Sequence, residues 1–178
     1  MRVIAGLARG TRLGPVPAGT RPLSDRAREG VFSSLGERVV GARVLDLYAG
    51  TGAAGIEALS RGALEATFVE RAPAAVAAIH GNLERSRLAE RATVVRSEVL
   101  RFLHRPPRAF DLVLVDPPYR SPVPEAAFSQ LEAGWLASGF LVALTRPRRG
   151  YTVGISVNWQ VTKRLEYGDT VIVLYREA

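Results

Sequence analysis

Hydrophobic and polar positions along the chain alternate between two periods, one typical of strands and one typical of helices. Short apolar runs are followed by stretches in which apolar residues recur every three or four positions. The pattern predicts strands at 42–50, 65–70, 92–98, 110–116 and 139–146, and helices at 24–36, 53–62, 72–88, 99–105 and 124–136. The tail, 159–177, is predicted to form two antiparallel strands. This alternation is typical of a mostly parallel, doubly wound α/β sheet.

The first segment of the chain, residues 1–23, shows neither period. It mixes short apolar pairs with glycine and proline, which favours a hairpin or an extended arm over a helix. Ser24 is a plausible N-cap for the helix that follows, and Gly36 a plausible end. Because no repeat or linker is evident, we expect one main domain over 24–178 with an N-terminal extension over 1–23.

Composition narrows the class of protein. The chain has 178 residues, enough for one domain with a sizeable core. It has no cysteine and only two histidines, so we expect neither a disulfide scaffold nor a metal site. No apolar stretch reaches the ~20 residues of a membrane span, and no signal peptide is evident. We therefore expect a cytoplasmic protein.

Positive charge is concentrated at the start of the chain. The formal net charge is +7, and residues 1–28 hold six arginines against one acid, Asp25. Such clustering predicts a polyanionic partner, and nucleic acid is favoured over membrane because no amphipathic apolar face accompanies the charge. The competing interpretation is that each arginine is simply solvated in an arginine-rich composition.

A glycine motif lies between the first predicted strand and the helix after it. Gly50, Gly52 and Gly55 form a G-x-G-x-x-G pattern, and Glu70 follows Gly50 by 20 residues at the end of the next strand. In this context the glycines allow close approach of a ligand to a helix N-terminus, and the acid is placed to meet ribose hydroxyls. A dinucleotide and S-adenosylmethionine both fit this pattern.

Two further acids favour S-adenosylmethionine. Asp46, four residues before Gly50, would repel an anionic pyrophosphate but suits a ligand with a cationic amine and sulfonium. Glu98, after the third strand, is placed to accept a hydrogen bond from an adenine amino group, although it is nearly as well explained as a surface acid opening a helix.

The sequence Asp116-Pro117-Pro118-Tyr119 follows the fourth strand. At this edge of a parallel sheet it should face the same crevice as Gly50. The Asp116 carboxylate and the Pro117 carbonyl could accept both N–H bonds of a nucleobase amine, aiming the nitrogen lone pair at a methyl donor. The prolines would fix that corner, and Tyr119 would stack on the base. The alternative is a proline-stiffened turn without catalytic function.

With these motifs the chain resembles the bacterial 16S ribosomal RNA guanine-N2 methyltransferases of the RsmD type. The resemblance rests on "RVIAGLARGTRL", "RPLSDRAREGVFSSL", "LDLYAGTGAAGIEALSRGA", "VDPPY" and "YGDT", in the family's order. It implies a class I S-adenosylmethionine-dependent methyltransferase fold with an N-terminal β-hairpin. It also implies that the substrate is a guanine of 16S ribosomal RNA within the small ribosomal subunit or its assembly intermediate.

The resemblance also implies roles for individual residues. The catalytic residues are Asp116, Pro117, Pro118 and Tyr119. The cofactor contacts, taken with their loop neighbours, are Asp46, Tyr48, Gly50, Thr51, Gly52, Glu70, Arg71, Glu98, Val99 and Asp116. The RNA contacts are Arg2, Arg9, Arg12, Arg21 and Arg26. Arg21, Asp25 and Arg26 are expected to line the crevice. Leu23 stands where the family usually has threonine and Thr145 where it usually has an acid, and neither is expected to touch the chemistry.

Three other functions are compatible with parts of the sequence. A DNA amino-methyltransferase acting on adenine N6 or cytosine N4 can share both motifs, but usually carries a target-recognition domain for which 178 residues leave little room. An NAD-dependent oxidoreductase would explain the glycines and Glu70 but not Asp46 or the Asp-Pro-Pro-Tyr segment. A non-catalytic RNA-binding assembly factor could retain the fold.

Overall fold

A computed structural model describes residues 1–18, 22–118, 125–149 and 158–178. Its helices are α1 (Asp25–Leu35), α2 (Ala53–Ser60), α3 (Pro73–Ser86), α4 (Val99–Leu103) and α5 (Glu125–Glu132). Its strands are β1 (Arg43–Leu47), β2 (Glu65–Glu70), β3 (Ala92–Arg96), β4 (Phe110–Val115), β5 (Leu136–Pro147), β6 (Trp159–Tyr167) and β7 (Thr170–Glu177). Short 3-10 turns at Gly36–Val39 and Ala89–Arg91 were not predicted.

The seven strands form one sheet in the order β3-β2-β1-β4-β5-β7-β6. Strands β1 to β5 are parallel, β7 is antiparallel to β5, and β6 is antiparallel to β7. The prediction of a mostly parallel α/β sheet with an antiparallel C-terminal pair is confirmed. The chain runs outward from β1 to β3 and then returns to β4 on the other side of β1. Ligands of such sheets bind at this switch point, beyond the carboxyl ends of the strands.

Helices cover both faces of the sheet. One core contains buried side chains of α1, α2 and α3, such as Phe32, Ile56 and Ile79. The other contains side chains of α4 and α5, such as Phe102 and Phe128. Because both faces are buried, the central strands are almost uniformly apolar rather than alternating.

The largest boundary error lies before β5. The predicted helix 124–136 ends at Glu132, and β5 begins at Leu136 rather than at 139. Gly134 has φ 110°, a conformation that ends the helix. The Phe110 N–H then bonds to the Trp135 carbonyl, and the pairing with β4 shifts register between Phe110 and Leu112. Because of this irregular pairing, β5 starts three residues earlier than predicted, and hydrophobic periodicity does not reveal these extra residues.

The N-terminal segment packs along α2 rather than extending away. Arg2 and Arg12 pair in an antiparallel bridge, as expected of a hairpin. Apolar side chains of the segment join the core on the α1–α3 face: Val3, Ala8 and Leu13. The turn is bound to the carboxyl end of α2, where Leu7 N–H donates to the Ser60 carbonyl at 2.7 Å and Ala8 N–H to Ser60 Oγ at 2.9 Å. The segment therefore shares the core of the main domain.

Candidate active site

The glycine motif forms the loop between β1 and α2. Gly50 and Gly52 have φ values of 56° and 75°, and Tyr48 also has a positive φ of 60°. Gly55 has a different role, because a Cβ there would lie 2.3 Å from the Phe68 ring. The first two glycines thus make the turn at the carboxyl edge, and the third allows α2 to pack closely on β2.

Glu70, at the end of β2, is bonded directly to this loop. One carboxylate oxygen accepts from Gly50 N–H at 2.9 Å. The other accepts from Arg71 and Ala72 N–H, each at 2.8 Å. An ionised carboxylate has about four acceptor positions. The oxygen on the Gly50 side therefore keeps capacity for a ligand hydroxyl.

Asp46 is a buried carboxyl below the loop. Its side chain is 2% exposed and accepts from Gly55 N–H at 2.9 Å. The pKa of Asp46 is raised to about 7, chiefly because burial disfavours the charged form of the carboxyl group. The hydrogen bond from Gly55 N–H partly opposes this shift, and the negative charges of Asp116 and Glu70 raise the pKa further. The three acids create a site that favours a cation.

We expect cofactor affinity to depend on pH through Asp46. A bound cation favours the ionised form, so binding should release a proton, and affinity should fall about tenfold between pH 8 and pH 6. Without ligand, the carboxyl ionises near 3.8 when unfolded and near 7 when folded, so its contribution to folding stability decreases as pH rises between these values. Titration calorimetry with S-adenosylmethionine at both pH values measures the first effect. Asp46→Asn should flatten the profile, and an unchanged slope in that variant would contradict the assignment.

The loops after β2 and β3 are joined by an ion pair. Arg71 Nη1 lies 3.1 Å from the Glu98 carboxylate, and both side chains are exposed. Glu98 occupies the N-cap position of α4, and the adjacent Val99 is buried. Thr51 is buried in the glycine loop, where its carbonyl accepts from the Asn82 side chain at 2.9 Å. The structure brings these predicted cofactor contacts to one edge of the sheet, and their contact with adenine stays a prediction.

Asp116 follows β4 at the switch point. Its backbone N–H donates to the Leu47 carbonyl of β1 at 3.3 Å. Asp46 is paired with Leu114 in β4, two residues before Asp116, so the two carboxyl groups project from the same face of the sheet. Pro117 is buried and Pro118 is exposed. Tyr119 and Arg21 lie outside the described residues, so their predicted roles stay predictions.

A cleft lies between α1 and the carboxyl ends of β1, β4 and β5. It is lined by Leu23, Arg28, Val31, Phe32, Asp46, Ala54, Leu114, Val115, Asp116, Ala143, Thr145 and Ile172. Leu23 and Thr145 both line this cleft with Asp116, and the expectation that they do not touch the chemistry stays a prediction. Val115, the last residue of β4, pairs with Leu144, so Asp116 lies beside Thr145 of the neighbouring strand β5.

The cleft also contains a residue that was not predicted. Arg28, not Arg26, lines it from α1, because Arg28 lies on the buried face with Phe32 and Leu35 whereas Arg26 is exposed. The spacing of 28, 32 and 35 follows the period of a helix face, so the face was visible in the sequence but the burial of an arginine on it was not.

The arginines of the N-terminal segment remain accessible. Arg2, Arg9 and Arg12 are exposed, and among the described residues no acid lies within ion-pair distance of them. Arg2 and Arg12 stand opposite each other in the bridge, where like charges are unfavourable unless an anion lies between them. Arg9 lies apart from this pair, beside the turn.

Comparisons with known proteins cover nearly the whole chain. A family model described as "Conserved hypothetical protein 95" matches residues 1–176. "Ribosomal RNA small subunit methyltransferase D" of Escherichia coli strain K12 is 37% identical, with 100% of this chain and 91% of that protein covered. The protein of the same description in Haemophilus influenzae is 35% identical, with 99% and 92% covered. The solved structure of yhhF from Escherichia coli, provisionally described as a methyltransferase, has a TM-score of 0.90 at 36% identity, with 99% and 97% covered.

Proposed function

The chain belongs to the RsmD-type family of small-subunit ribosomal RNA methyltransferases, and we propose that it methylates the exocyclic N2 amine of a guanine in 16S ribosomal RNA. The predicted class I methyltransferase fold is confirmed, and S-adenosylmethionine is the cofactor. One observation carries the proposal: the glycine loop with Asp46 and Glu70 meets Asp116-Pro117 at the switch point between β1 and β4.

The residues present fit the cofactor. Glu70 and the loop containing Gly50 and Gly52 would hold the ribose and the adjoining part of the ligand, and Asp46 would face its positive charge. When bound, the cofactor supplies an electrophilic methyl group on a sulfonium. The residues of this site would hold that group in position, and the remaining task of the protein would be to orient the amine.

Asp116 and Pro117 would orient the target amine. The lone pair of a guanine amine is delocalised into the ring, which makes the nitrogen a poor nucleophile. If the Asp116 carboxylate and the Pro117 carbonyl accept its two N–H bonds, the lone pair points at the methyl group. As the N–C bond forms and the C–S bond breaks, positive charge moves to the nitrogen, where Asp116 stabilises it. The nitrogen loses its proton after attack, so Asp116 need not be a strong base.

Ribosomal RNA supplies both the target and the polyanionic surface. Family membership supports an rRNA substrate. We further propose that the RNA is presented within the small ribosomal subunit or its assembly intermediate, in the cytoplasm. Tyr119 would stack on the target base, and the N-terminal segment would contact phosphates outside the crevice. Among the described residues, no helix is long and apolar enough to cross a membrane.

Two measurements test the proposal together: which ligand the protein binds, and which nucleic acid it methylates. We expect the purified protein to bind S-adenosylmethionine and not NAD in an equilibrium titration. With a labelled methyl donor, label should enter ribosomal RNA from a strain lacking this gene and not duplex DNA. Preferential NAD binding would support the oxidoreductase alternative, and label in DNA the DNA methyltransferase. Cofactor binding without any transfer would support the assembly factor.

Replacing Arg2, Arg9 and Arg12 by alanine should weaken binding to ribosomal RNA or the particle and flatten its salt dependence. Each lost single-strand phosphate contact lowers the log–log slope by about 0.7. Cofactor affinity and melting temperature should not change, because these side chains are exposed and the segment is held through its backbone. Filter binding over a salt series and a melting curve measure the two effects.

A second triple variant shows whether the effect on RNA binding comes from where the arginines lie or only from the lost net charge. Arg101, Arg105 and Arg108 are exposed on the α4 side of the molecule, and replacing them removes the same charge. That variant should keep the wild-type salt slope more closely than the N-terminal one. Equal slopes in the two variants would contradict a specific RNA contact by the N-terminal segment, and a lower melting temperature with an unchanged slope would assign its arginines a structural role.

A further inference from the structure

Asn82 is a buried amide on α3 that is bonded to two distant segments of the chain. Its side chain is 0% exposed. The amide nitrogen donates to the Thr51 carbonyl at 2.9 Å, and the amide oxygen accepts from the Gly14 N–H at 2.7 Å. Thr51 belongs to the glycine loop and Gly14 to the N-terminal segment. One side chain therefore connects the loop of the cofactor site to the segment proposed to contact RNA.

The shape of the glycine loop depends on its contacts with α3. Thr51 lies between Gly50 and Gly52, whose positive φ values form the turn. A Cβ at Gly52 would lie 3.2 Å from Ile79, so the loop packs closely against α3 about one turn before Asn82. Thr51 is itself buried, so its carbonyl would lose a hydrogen bond that water could not readily replace if the amide were removed. An unpaired buried carbonyl costs free energy and would favour another conformation of the loop.

The two strands of the N-terminal segment are held by different helices. The first strand is bonded to α2, whose Glu57 carboxylate accepts from Ile4 and Ala5 N–H at 2.8 and 3.1 Å. Gly14 lies at the end of the second strand, two residues after Arg12, and is bonded to α3 through the amide. The position of Arg12 relative to the glycine loop therefore depends on this hydrogen bond.

These two contacts require an amide side chain. An asparagine supplies a donor and an acceptor at once, whereas an ionised aspartate lacks the donor and a leucine lacks both. The contacts also specify the orientation of the amide, because the opposite orientation would place its NH2 group against the Gly14 N–H. Arg85 Nη1 lies 3.5 Å from the same amide oxygen, on the side away from the loop contact.

We infer that Asn82 is a positioning residue, which holds the glycine loop and the N-terminal segment in one arrangement so that the methyl donor and the bound RNA are in register. Because Asn82 is buried, it acts on transfer through Thr51 and Gly14 rather than by touching a ligand. A displacement of about 1 Å at a reacting centre can lower kcat roughly 100-fold. This inference rests on the proposed function, because it requires the cofactor at the loop and RNA at the segment.

Asn82→Leu removes both hydrogen bonds with little change in side-chain volume. Affinity for S-adenosylmethionine should fall roughly 2- to 10-fold, because the loop loses a buried hydrogen bond. Affinity for ribosomal RNA should fall a few-fold with an unchanged salt slope, because no charge is removed. With both ligands saturating, kcat should fall roughly 10- to 100-fold. Calorimetry, filter binding over a salt series and transfer assays measure these effects on one preparation.

Gly14→Pro removes the N–H on the segment side and leaves the Thr51 contact in place. It should weaken RNA binding as Asn82→Leu does, and keep wild-type cofactor affinity. Gly14→Ala adds a Cβ 3.0 Å from the end of the flexible Arg85 side chain but retains the N–H, so it controls for the added atoms. In the double variant, Gly14→Pro should cause no further loss of RNA affinity, because both substitutions break the same hydrogen bond.

Ser86→Ala controls for the loss of a buried polar group on α3. Ser86 lies one turn after Asn82, and its hydroxyl donates to the Asn82 and Leu83 carbonyls within the helix. This variant should have a lower melting temperature and wild-type values of both affinities and kcat.

Three results would overturn the positioning role. One is that folded Asn82→Leu, like Ser86→Ala, changes only the melting temperature. Another is that the losses of RNA affinity in Asn82→Leu and Gly14→Pro are additive. The third is wild-type RNA affinity and kcat in Gly14→Pro, which decides the question even if Asn82→Leu does not fold. Failure of the proposed function is distinguishable, because wild type itself would then transfer no methyl group to ribosomal RNA.

Discussion

Asp116→Ala should abolish methyl transfer while leaving affinity for S-adenosylmethionine within a few-fold of wild type. The substitution removes one of the two acceptors that orient the amine and the charge that stabilises it after attack. Loss of one preorganised electrostatic contact typically costs about 100- to 1000-fold in kcat, and loss of amine orientation adds to this. Cofactor affinity should change little, because the Asp116 charge raises the Asp46 pKa, and its removal makes Asp46 easier to ionise.

The comparison requires transfer assays and calorimetry on the same preparations. Asp111→Ala is a matched control, since Asp111 lies on the same strand at its opposite end and pairs with Arg43 at 3.2 Å. That variant should lose some stability and keep wild-type turnover. If Asp116→Ala turns over within tenfold of wild type, the amine site proposed at Asp116 is wrong.

Glu70→Ala should have the largest effect on cofactor binding. Each hydrogen bond lost from a charged acceptor costs roughly 1.5–3 kcal/mol, which corresponds to about 10- to 150-fold in affinity for one ribose contact. The structure indicates a further cost, because Glu70 also holds Gly50 and the turn after β2 through three backbone N–H groups. The variant should therefore bind poorly even at high cofactor concentration.

Glu65→Ala provides the control for this result. Glu65 begins the same strand and pairs with Arg108 at the other edge of the sheet. Calorimetry should give wild-type affinity for Glu65→Ala and a large loss for Glu70→Ala. Equal affinities in the two variants would remove Glu70 from the cofactor site.

The glycine loop and the acids around it were predictable from the sequence, because the ends of parallel strands meet at one edge and each motif follows a strand. The strands themselves were predictable from apolar runs, since both faces of the sheet are buried. Even the hydrogen bond from the Gly50 N–H to Glu70 follows from strand order once β2 is placed next to β1.

The cleft between α1 and the sheet was not predictable in the same way. The helical period identifies the buried face of α1 but not which strands it covers, and a sequence pattern gives no reason to bury an arginine. The place of Leu23 and Thr145 in the cleft was not predictable for the same reason. They are distant in sequence and meet only because α1 packs against the face of the sheet at the ends of β4 and β5.

The most direct test of the central claim is nucleoside mass analysis of 16S ribosomal RNA from a strain lacking this gene. The same analysis is made after complementation with wild type and with Asp116→Ala. We expect one N2-methylguanosine to be absent from the deletion strain, restored by wild type and not restored by Asp116→Ala. If the methylated nucleosides of all three strains are identical, or if the missing methyl group is on a base other than guanine, the proposed activity is contradicted.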